Sequence, residues 1–359
     1  MPFLSAGLAL LFGAIAIVGA YAVWLATARR RATPSSTSRT TTSVVIVVPV
    51  FDEAPLIDGK LANLDALANK QRVLIVDGGS TDGTIDRVRA HGKFELLETT
   101  LRNKSAQLRE ALRVTSEEWI LVTDADALLE PDTLTKLLAV IDDSTGVVGA
   151  SVRPVSAHAL ESLHWRATDW LRDRESDRGS AAIVAAPCYL AHRTFLELPH
   201  DTIADDVHVA CRAMLAGLRV GHADARVVEL RSPRTLRALL RHKYRKADAY
   251  LREIVRFVPL TPRMPRAQRA IFLWRAALLT LVPILGMLAT VALAISFAFE
   301  FTLAMQLGSV AMLVVIALAS RGAMLAAVLA GVSAVALLTY PFSRQEASFP
   351  KILQPIEYE

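Results

Sequence analysis

The chain has 359 residues, 53% of them hydrophobic, a mean hydropathy of +0.36, a formal charge of +5 and a pI near 9.3. Such apolarity excludes an ordinary soluble enzyme. The basic residues crowd beside the apolar stretches, which favours membrane lipids and phosphate-bearing substrates as partners and argues against nucleic acid.

Residues 1–28 carry no charge and Arg29, Arg30 and Arg31 follow at once. An apolar run of this length crosses a bilayer, and its positive charge comes after it, whereas a cleavable signal carries charge before it. The expectation is an uncleaved anchor over 1–28 with its N-terminus outside, then a basic and polar linker over 29–43.

From 44 to 230 short β-type runs alternate with helical patterns. Val44–Val48, Arg72–Val76 and Trp119–Thr123 are continuous apolar runs, as in strands buried on both faces of a parallel sheet. Helical patterns lie between or after them, at Leu56–Ala68, Asp82–Ala90 and Ser105–Thr115. This order predicts an α/β, doubly wound sheet, whose ligands bind beyond the carboxyl ends of the strands.

Residues 231–262 read as amphipathic helices on the membrane surface: Leu236, Leu239, Tyr244, Ala247, Leu251 and Ile254 recur at helical spacing among many Arg and Lys. Over 263–343, apolar spans at roughly 276–299, 301–320 and 322–343 are broken by Glu300 and Arg321. Arg263, Arg266, Arg269 and Arg275 put the start of the first in the cytoplasm, so Glu300 falls outside and Arg321 inside. A re-entrant hairpin over 301–343 is the alternative. Residues 344–359 form a tail.

The chemistry concentrates at strand ends. Pro49-Val50-Phe51-Asp52-Glu53 follows the first strand, Asp77-Gly78-Gly79-Ser80-Thr81-Asp82-Gly83-Thr84 the second, and Asp124-Ala125-Asp126 the third. Asp and Gly are ordinary turn residues, but three acidic ends on one sheet edge need a cation or donors among them. Asp124 and Asp126 would give a divalent Mg2+ or Mn2+ two oxygen ligands and leave positions open for a diphosphate. Asp205-Asp206 opens a further helix, where acidic residues also serve as caps. Cys188 and Cys211 make no metal-spaced set and read as buried thiols. For His158, His164, Trp165 and Trp170, packing and surface roles are expected, with a border to an acceptor channel as the alternative for the two tryptophans.

This ordered set, with Lys60-Leu61-Ala62-Asn63-Leu64, resembles glycosyltransferase family 2, in the membrane-bound branch that holds cellulose-synthase-like and poly-N-acetylglucosamine-synthase-like enzymes. The similarity covers about residues 44–250. It implies a GT-A (Rossmann-like, mostly parallel sheet) cytoplasmic domain with one N-terminal and about three C-terminal transmembrane helices. It also implies inverting hexosyl transfer from a nucleotide-sugar donor, usually a UDP-sugar, to a lipid or membrane-associated glycan acceptor. By position, Pro49 and Glu53 would meet the donor, Glu53 at the ribose, and Asp77 and Lys104 would hold the base. Asp124 and Asp126 would hold diphosphate and metal. Asp206 would be the general base, with Asp205 standing for the family's glutamate.

Two departures matter. Processive members carry Gln-x-x-Arg-Trp, where this chain has His242, Arg245 and Lys246. Arg245 keeps a cation for diphosphate and His242 replaces the glutamine, but Lys246 cannot stack on a sugar as an aromatic does. Gly78 stands where many members have Asp. Single sugar addition is therefore expected over a processive, polymer-exporting synthase. A transporter or flippase with a nucleotide-sugar-sensing domain is the alternative of another class. The implied localisation is multi-pass, in a bacterial inner (plasma) membrane, with the catalytic domain cytoplasmic.

Overall fold

The computed structural model describes residues 1–30, 43–67, 71–303, 305–310 and 320–343. Most of the expected linker over 29–43, much of the expected span over 301–320 and the tail over 344–359 lie outside these residues.

The domain is built on an eight-stranded sheet of order β3-β2-β1-β4-β7-β6-β8-β5. The strands are β1 (Val44–Val50), β2 (Arg72–Asp77), β3 (Glu95–Glu98), β4 (Trp119–Thr123), β5 (Ala127–Leu129), β6 (Thr145–Pro154), β7 (Cys188–His192) and β8 (Arg219–Glu229). The first four run parallel, as do β6 and β8. β7 is antiparallel to β4 and β6, and β5 to β8.

Alternation along the central strands feeds two cores, as the pleat requires. Val45, Val47, Leu74, Val76, Ile120 and Val122 face one core; Val44, Ile46, Val48, Val73, Ile75 and Leu121 face the other. Each such fully buried side chain contributes about 1.5–3 kcal/mol, which is why these runs are apolar at every position. Helices α2 (Ala54–Leu67), α3 (Thr84–His91), α4 (Lys104–Val114), α5 (Thr133–Leu138), α6 (Ala159–Arg178) and α7 (Asp205–Leu215) accompany the sheet.

The order of the strands decides where a ligand fits. The chain moves outward from β1 to β2 and β3, then returns to place β4 on the other side of β1. Pairing of β1 with β4 ends at Val47 and Val122, while β1 still follows β2 as far as Val50 and Asp77. Pro49, which has no amide hydrogen, sits where the β4 ladder has ended. The sheet thus splits at the carboxyl ends of β1 and β4, the kind of switch point at which α/β sheets bind ligands.

Beyond the sheet come α8 (Leu236–Phe257), α9 (Arg266–Leu279), α10 (Leu281–Phe299) and α11 (Arg321–Thr339), with α1 (Pro2–Ala26) preceding it. Among the described residues, three helical stretches are long and apolar enough to cross a membrane: Pro2–Ala26, Arg266–Phe299 and Arg321–Thr339. Glu300 accepts hydrogen bonds from the Phe3 and Leu4 amides, both at 3.2 Å, so the start of α1 and the end of α10 lie together. At its other end α1 is docked by polar groups. Tyr21 donates to Glu175 of α6, Arg275 of α9 pairs with the same carboxylate, and Tyr21 stacks on Trp274 at 5.3 Å.

α8 departs from a helix lying freely on a surface. One side packs on α11 through Ala247, Leu251, Val332 and Ala336. Part of its polar side is turned into the protein: Lys243 is buried 2.6 Å from Glu161, and His242 is buried as well.

Candidate active site

A cleft of about 240 Å³ opens at the split in the sheet. Pro49 lines it from the end of β1, Phe51 and Glu53 from just after, Asp124, Ala125 and Asp126 after β4, and Glu229 and Arg231 from the end of β8. Lys104 enters from α4, Asp205 and Asp206 from α7, and His242, Arg245, Lys246 and Tyr250 from α8.

Glu53 and Arg231 lock two strand ends together. The Arg231 guanidinium donates to Glu53 Oε1 at 2.6 Å and lies 2.5 Å from Oε2, in the paired geometry that suits a carboxylate. The Asp124 amide donates to the Pro187 carbonyl at 3.0 Å and the Leu230 amide to the Asp126 carbonyl at 2.8 Å, which pins the loop after β4. Beneath it lies Lys60 of α2, fully buried, donating to Thr123 Oγ1 at 2.8 Å and to the Ala127 carbonyl. Burial pushes the Lys60 ammonium down to about 8, against the pull of nearby Asp124 and Asp126.

Asparagine at the α4 N-cap, Asn103, accepts from the Ala106 amide at 3.1 Å and sets Lys104 at the first helical position. Lys104 Nζ lies 2.8 Å from Asp124 Oδ1 and 3.2 Å from Asp205 Oδ2, and donates to the Ala186 carbonyl at 3.0 Å. Burial opposes its charge, but Asp124 and Asp205 together hold the ammonium above its ordinary value.

Asp205 and Asp206 are the first two helical residues of α7, after an Ala204 N-cap that makes no side-chain bond. Neither therefore occupies the cap position itself. Their charges lie in the first turn, which the helix dipole favours. Tyr189 donates to Asp205 Oδ2 at 2.7 Å, and Tyr250 to Asp206 Oδ2 at 2.9 Å. Burial first, then the neighbouring Asp205, pushes the Asp206 carboxyl up to about 6.

Asp126 is likewise pushed up to about 7 by burial and by Asp124. A carboxylate whose proton affinity is raised by its neighbour's charge suits a divalent cation that draws its remaining ligands from a diphosphate and water. Among the described residues no group of three His, Cys, Asp or Glu side chains gathers to make an all-protein metal cage.

Asp77 stands apart. It closes β2 on the same sheet edge but does not line the cleft. Its Oδ2 accepts the Gly79 and Ser80 amides at 2.7 and 2.9 Å, organising its own turn. Gly78 has a steric reason: a Cβ there would meet Gln107 Nε2 at 2.4 Å and the Leu101 carbonyl at 2.8 Å. Gln107 in turn donates to the Val50 carbonyl at 3.0 Å.

On α8, burial and the cations Lys246, Lys243 and Arg245 hold His242 well below the ordinary histidine range. Lys246 lies 5.1 Å over the ring of Trp165, which is buried, while Trp170 is exposed. Sequence reasoning passed over Arg231, Glu229, Tyr189 and Tyr250. Glu229 closes a strand in which polar and apolar residues alternate, so it did not stand out as the other acidic strand ends do. The tyrosines gave no signal.

An α/β sheet split at one edge, with acidic strand ends round the cleft and apolar helices appended, has the architecture of a GT-A domain. Residues 45–197 match the model for Glycosyl transferase family 2. The chain is 25% identical over 254 residues to an N-acetylglucosaminyltransferase of Rhizobium leguminosarum bv. viciae, covering 62% of this chain and 59% of that one. A protein of the same description from Sinorhizobium fredii is 25% identical over 266 residues, covering 65% and 63%. The chain thus spans less than two thirds of the length of these curated relatives. Among solved structures it resembles a mannosyltransferase from Pyrobaculum calidifontis in complex with GDP-Man and Mn2+, at 25% identity and a TM-score of 0.79, covering 96% of this chain and 100% of that one. Together these similarities support a glycosyltransferase family 2 protein.

Proposed function

We propose that the protein transfers a single sugar, with inversion, from a nucleotide diphosphate donor to a lipid or membrane-associated glycan acceptor. The observation that carries this reading is the convergence of Asp124, Asp126, Asp205, Asp206, Lys104 and Arg245 on one cleft at the sheet's switch point.

Inversion requires a single displacement at the anomeric carbon. The acceptor hydroxyl attacks from one side, the bond to the diphosphate breaks on the other, and the hydroxyl proton must leave as the new bond forms. Asp206 takes that proton. A carboxyl near 6 is ionised at neutral pH yet basic enough to accept it. Asp205, held by Tyr189 and Lys104, lies beside it and supports the basicity of Asp206.

Asp124 and Asp126 would hold Mg2+ or Mn2+, which when bound neutralises charge on the departing diphosphate. Arg245, which also lines the cleft, would add positive charge for the diphosphate. Pro49 and Glu53 flank the donor, with Glu53 held by Arg231, while Asp77 lies outside the cleft and organises its own turn. The relatives' name makes N-acetylglucosamine, offered as a UDP-sugar, the first sugar to test, and the archaeal neighbour's GDP-Man the second donor.

The packing of α8 between the cleft and α11 supports an acceptor arriving from the membrane. The arginines after α1 and before α10 support a cytoplasmic catalytic domain (residues 44–230) on the inner face of a plasma membrane. Lys246, resting on Trp165, supports single addition, because no aromatic of the processive motif is available there to stack on a growing chain.

Membranes containing the protein should move label from one member of a nucleotide-sugar panel, UDP-sugars and GDP-mannose included, into the lipid fraction. Asp206→Asn and Asp124→Ala should abolish this while the protein remains folded in the membrane. Wild-type turnover in both variants would overturn the site, and a ladder of long saccharides would overturn single addition.

A further inference from the structure

Tyr250 joins the proposed base to the membrane-facing part of the fold. Its hydroxyl donates to Asp206 Oδ2 at 2.9 Å, while Asp206 Oδ1 accepts the Val207 amide at 3.0 Å, so each carboxylate oxygen has a donor and the plane of the group is set. The two helices are tied again close by: His208 Nδ1 of α7 lies 2.9 Å from Glu253 Oε2 of α8.

The opposite side of α8 is bound to α11 and the residues just after it. Tyr244 Oη lies 2.8 Å from Thr339 Oγ1. Ser343 donates to Asp248 Oδ1 at 2.7 Å, and Arg252 donates to the Ser343 carbonyl at 2.8 Å. One helix therefore carries a contact with an apolar, membrane-length helix on one side and a hydrogen bond to Asp206 on the other.

We infer that Tyr250 is a positioning residue for the Asp206 carboxylate, and that through it the geometry of Asp206 depends on how α8 is seated against α11. This rests on the reading of Asp206 as the base. A carboxylate base must present one lone pair along the line of the leaving proton, and a free aspartate rotates about its side-chain torsions. A phenolic donor restrains it and favours its charged form. The groups facing Asp206 are Asp205 and Cys211 on α7, Tyr189 on β7, Lys104 on α4, and Arg245, Lys246 and Tyr250 on α8. Burial and Asp205 push its proton affinity up, and Lys246, Tyr250 and Lys104 push it down. Removing the Tyr250 hydroxyl thus raises it further, and a base that works ionised then needs a higher pH.

The test uses the full chain in proteoliposomes. Tyr250→Phe keeps the ring and removes one hydroxyl. It should lower kcat by about 10- to 100-fold, the range for a lost hydrogen bond to a charged group, with donor KM nearly unchanged. The acid limb of the pH profile should move to higher pH, which a purely structural role would not produce. Wild-type kcat with an unmoved acid limb overturns the inference, and so does an effect confined to KM. Ser343→Ala should lower kcat in the wild-type background and have little further effect in Tyr250→Phe, as coupled residues behave in a double-mutant cycle. No effect in the wild type, or the full effect in both backgrounds, overturns the dependence on α11. Asp206→Asn run alongside separates the two levels: retained turnover removes the base itself, whereas a dead Asp206→Asn with a wild-type-like Tyr250→Phe removes only the inference.

Discussion

Lys104 Nζ and Asp124 Oδ1 lie 2.8 Å apart, and since the same ammonium reaches Asp205, one side chain from α4 joins the end of β4 to the first turn of α7. The cleft's acidic groups are thus held together by an internal cation before any ligand arrives.

Lys104→Met would leave Asp124 and Asp205 facing one another without that charge. We predict a fall in kcat/KM of about 100- to 1,000-fold, comparable to the loss of one preorganised electrostatic contact in an active site. Lys104→Arg keeps the charge and should retain more activity than Met. Steady-state transfer assays on both variants check this, and a Met variant with wild-type kcat/KM refutes it.

Metal dependence should be cooperative with nucleotide. Asp124 and Asp126 would supply only part of a coordination shell, so Mn2+ alone should raise the thermal midpoint little, and Mn2+ with nucleoside diphosphate should raise it clearly. A ligand at 100 times its Kd stabilises by about 2.7 kcal/mol. Chelation should abolish transfer and added Mn2+ or Mg2+ restore it. Full activity in the presence of chelator would contradict the assignment of the two aspartates.

Glu229 makes the stability of the fold depend on pH. Burial, with Asp126 and Glu161 nearby, pushes its carboxyl up to about 8, against the pull of Lys246. The folded state then holds a proton that the unfolded chain releases near 4.5, so this residue's contribution is complete below that pH and is lost as pH rises toward 8. Glu229→Gln should remove this slope. Thermal midpoints between pH 5 and about 8.5 should fall less in the variant than in the wild type, and parallel curves would refute the prediction.

Lys60 supports the loop after β4 from below. Lys60→Met keeps much of the side-chain volume but strips the Ala127 carbonyl and Thr123 hydroxyl of their donor, a loss of about 1–3 kcal/mol for each buried group left unsatisfied. The variant should melt at lower temperature and bind donor more weakly, since Asp124 and Asp126 lose their footing. Calorimetry and nucleotide titration measure both, and unchanged donor affinity would show that the loop holds without it.

The acidic strand ends were legible because a parallel strand buried on both faces must be apolar throughout, so Asp124 or Glu53 at its close stands out against Val and Leu. Gly78 was legible as a departure, though its cause lay in Gln107, a contact between distant segments. Lys104 and Asp77 were paired by resemblance at the nucleotide base, yet Lys104 lies between Asp124 and Asp205, and Asp77 binds its own turn. Tyr189 and Tyr250 carried no signal, since a tyrosine in a strand or a helix reads as packing until the neighbour of its hydroxyl is known. The helical period of α8 was plain, but a period tells which residues share a side and not what covers it. Lys243, read among the basic residues of a membrane-surface helix, is buried against Glu161, and His242, expected beside Arg245 at the diphosphate or acceptor, lines the cleft.

By itself, the sequence determined the strand–helix alternation, the apolar spans and the carboxylates at the strand ends, because those follow from local periodicity and from what burial permits at each position. Only the tertiary structure decided the partners of those carboxylates and the seating of α8, because hydrogen bonds such as those of Lys104 and Tyr250 join segments far apart in the chain, and nothing local in either segment encodes the other.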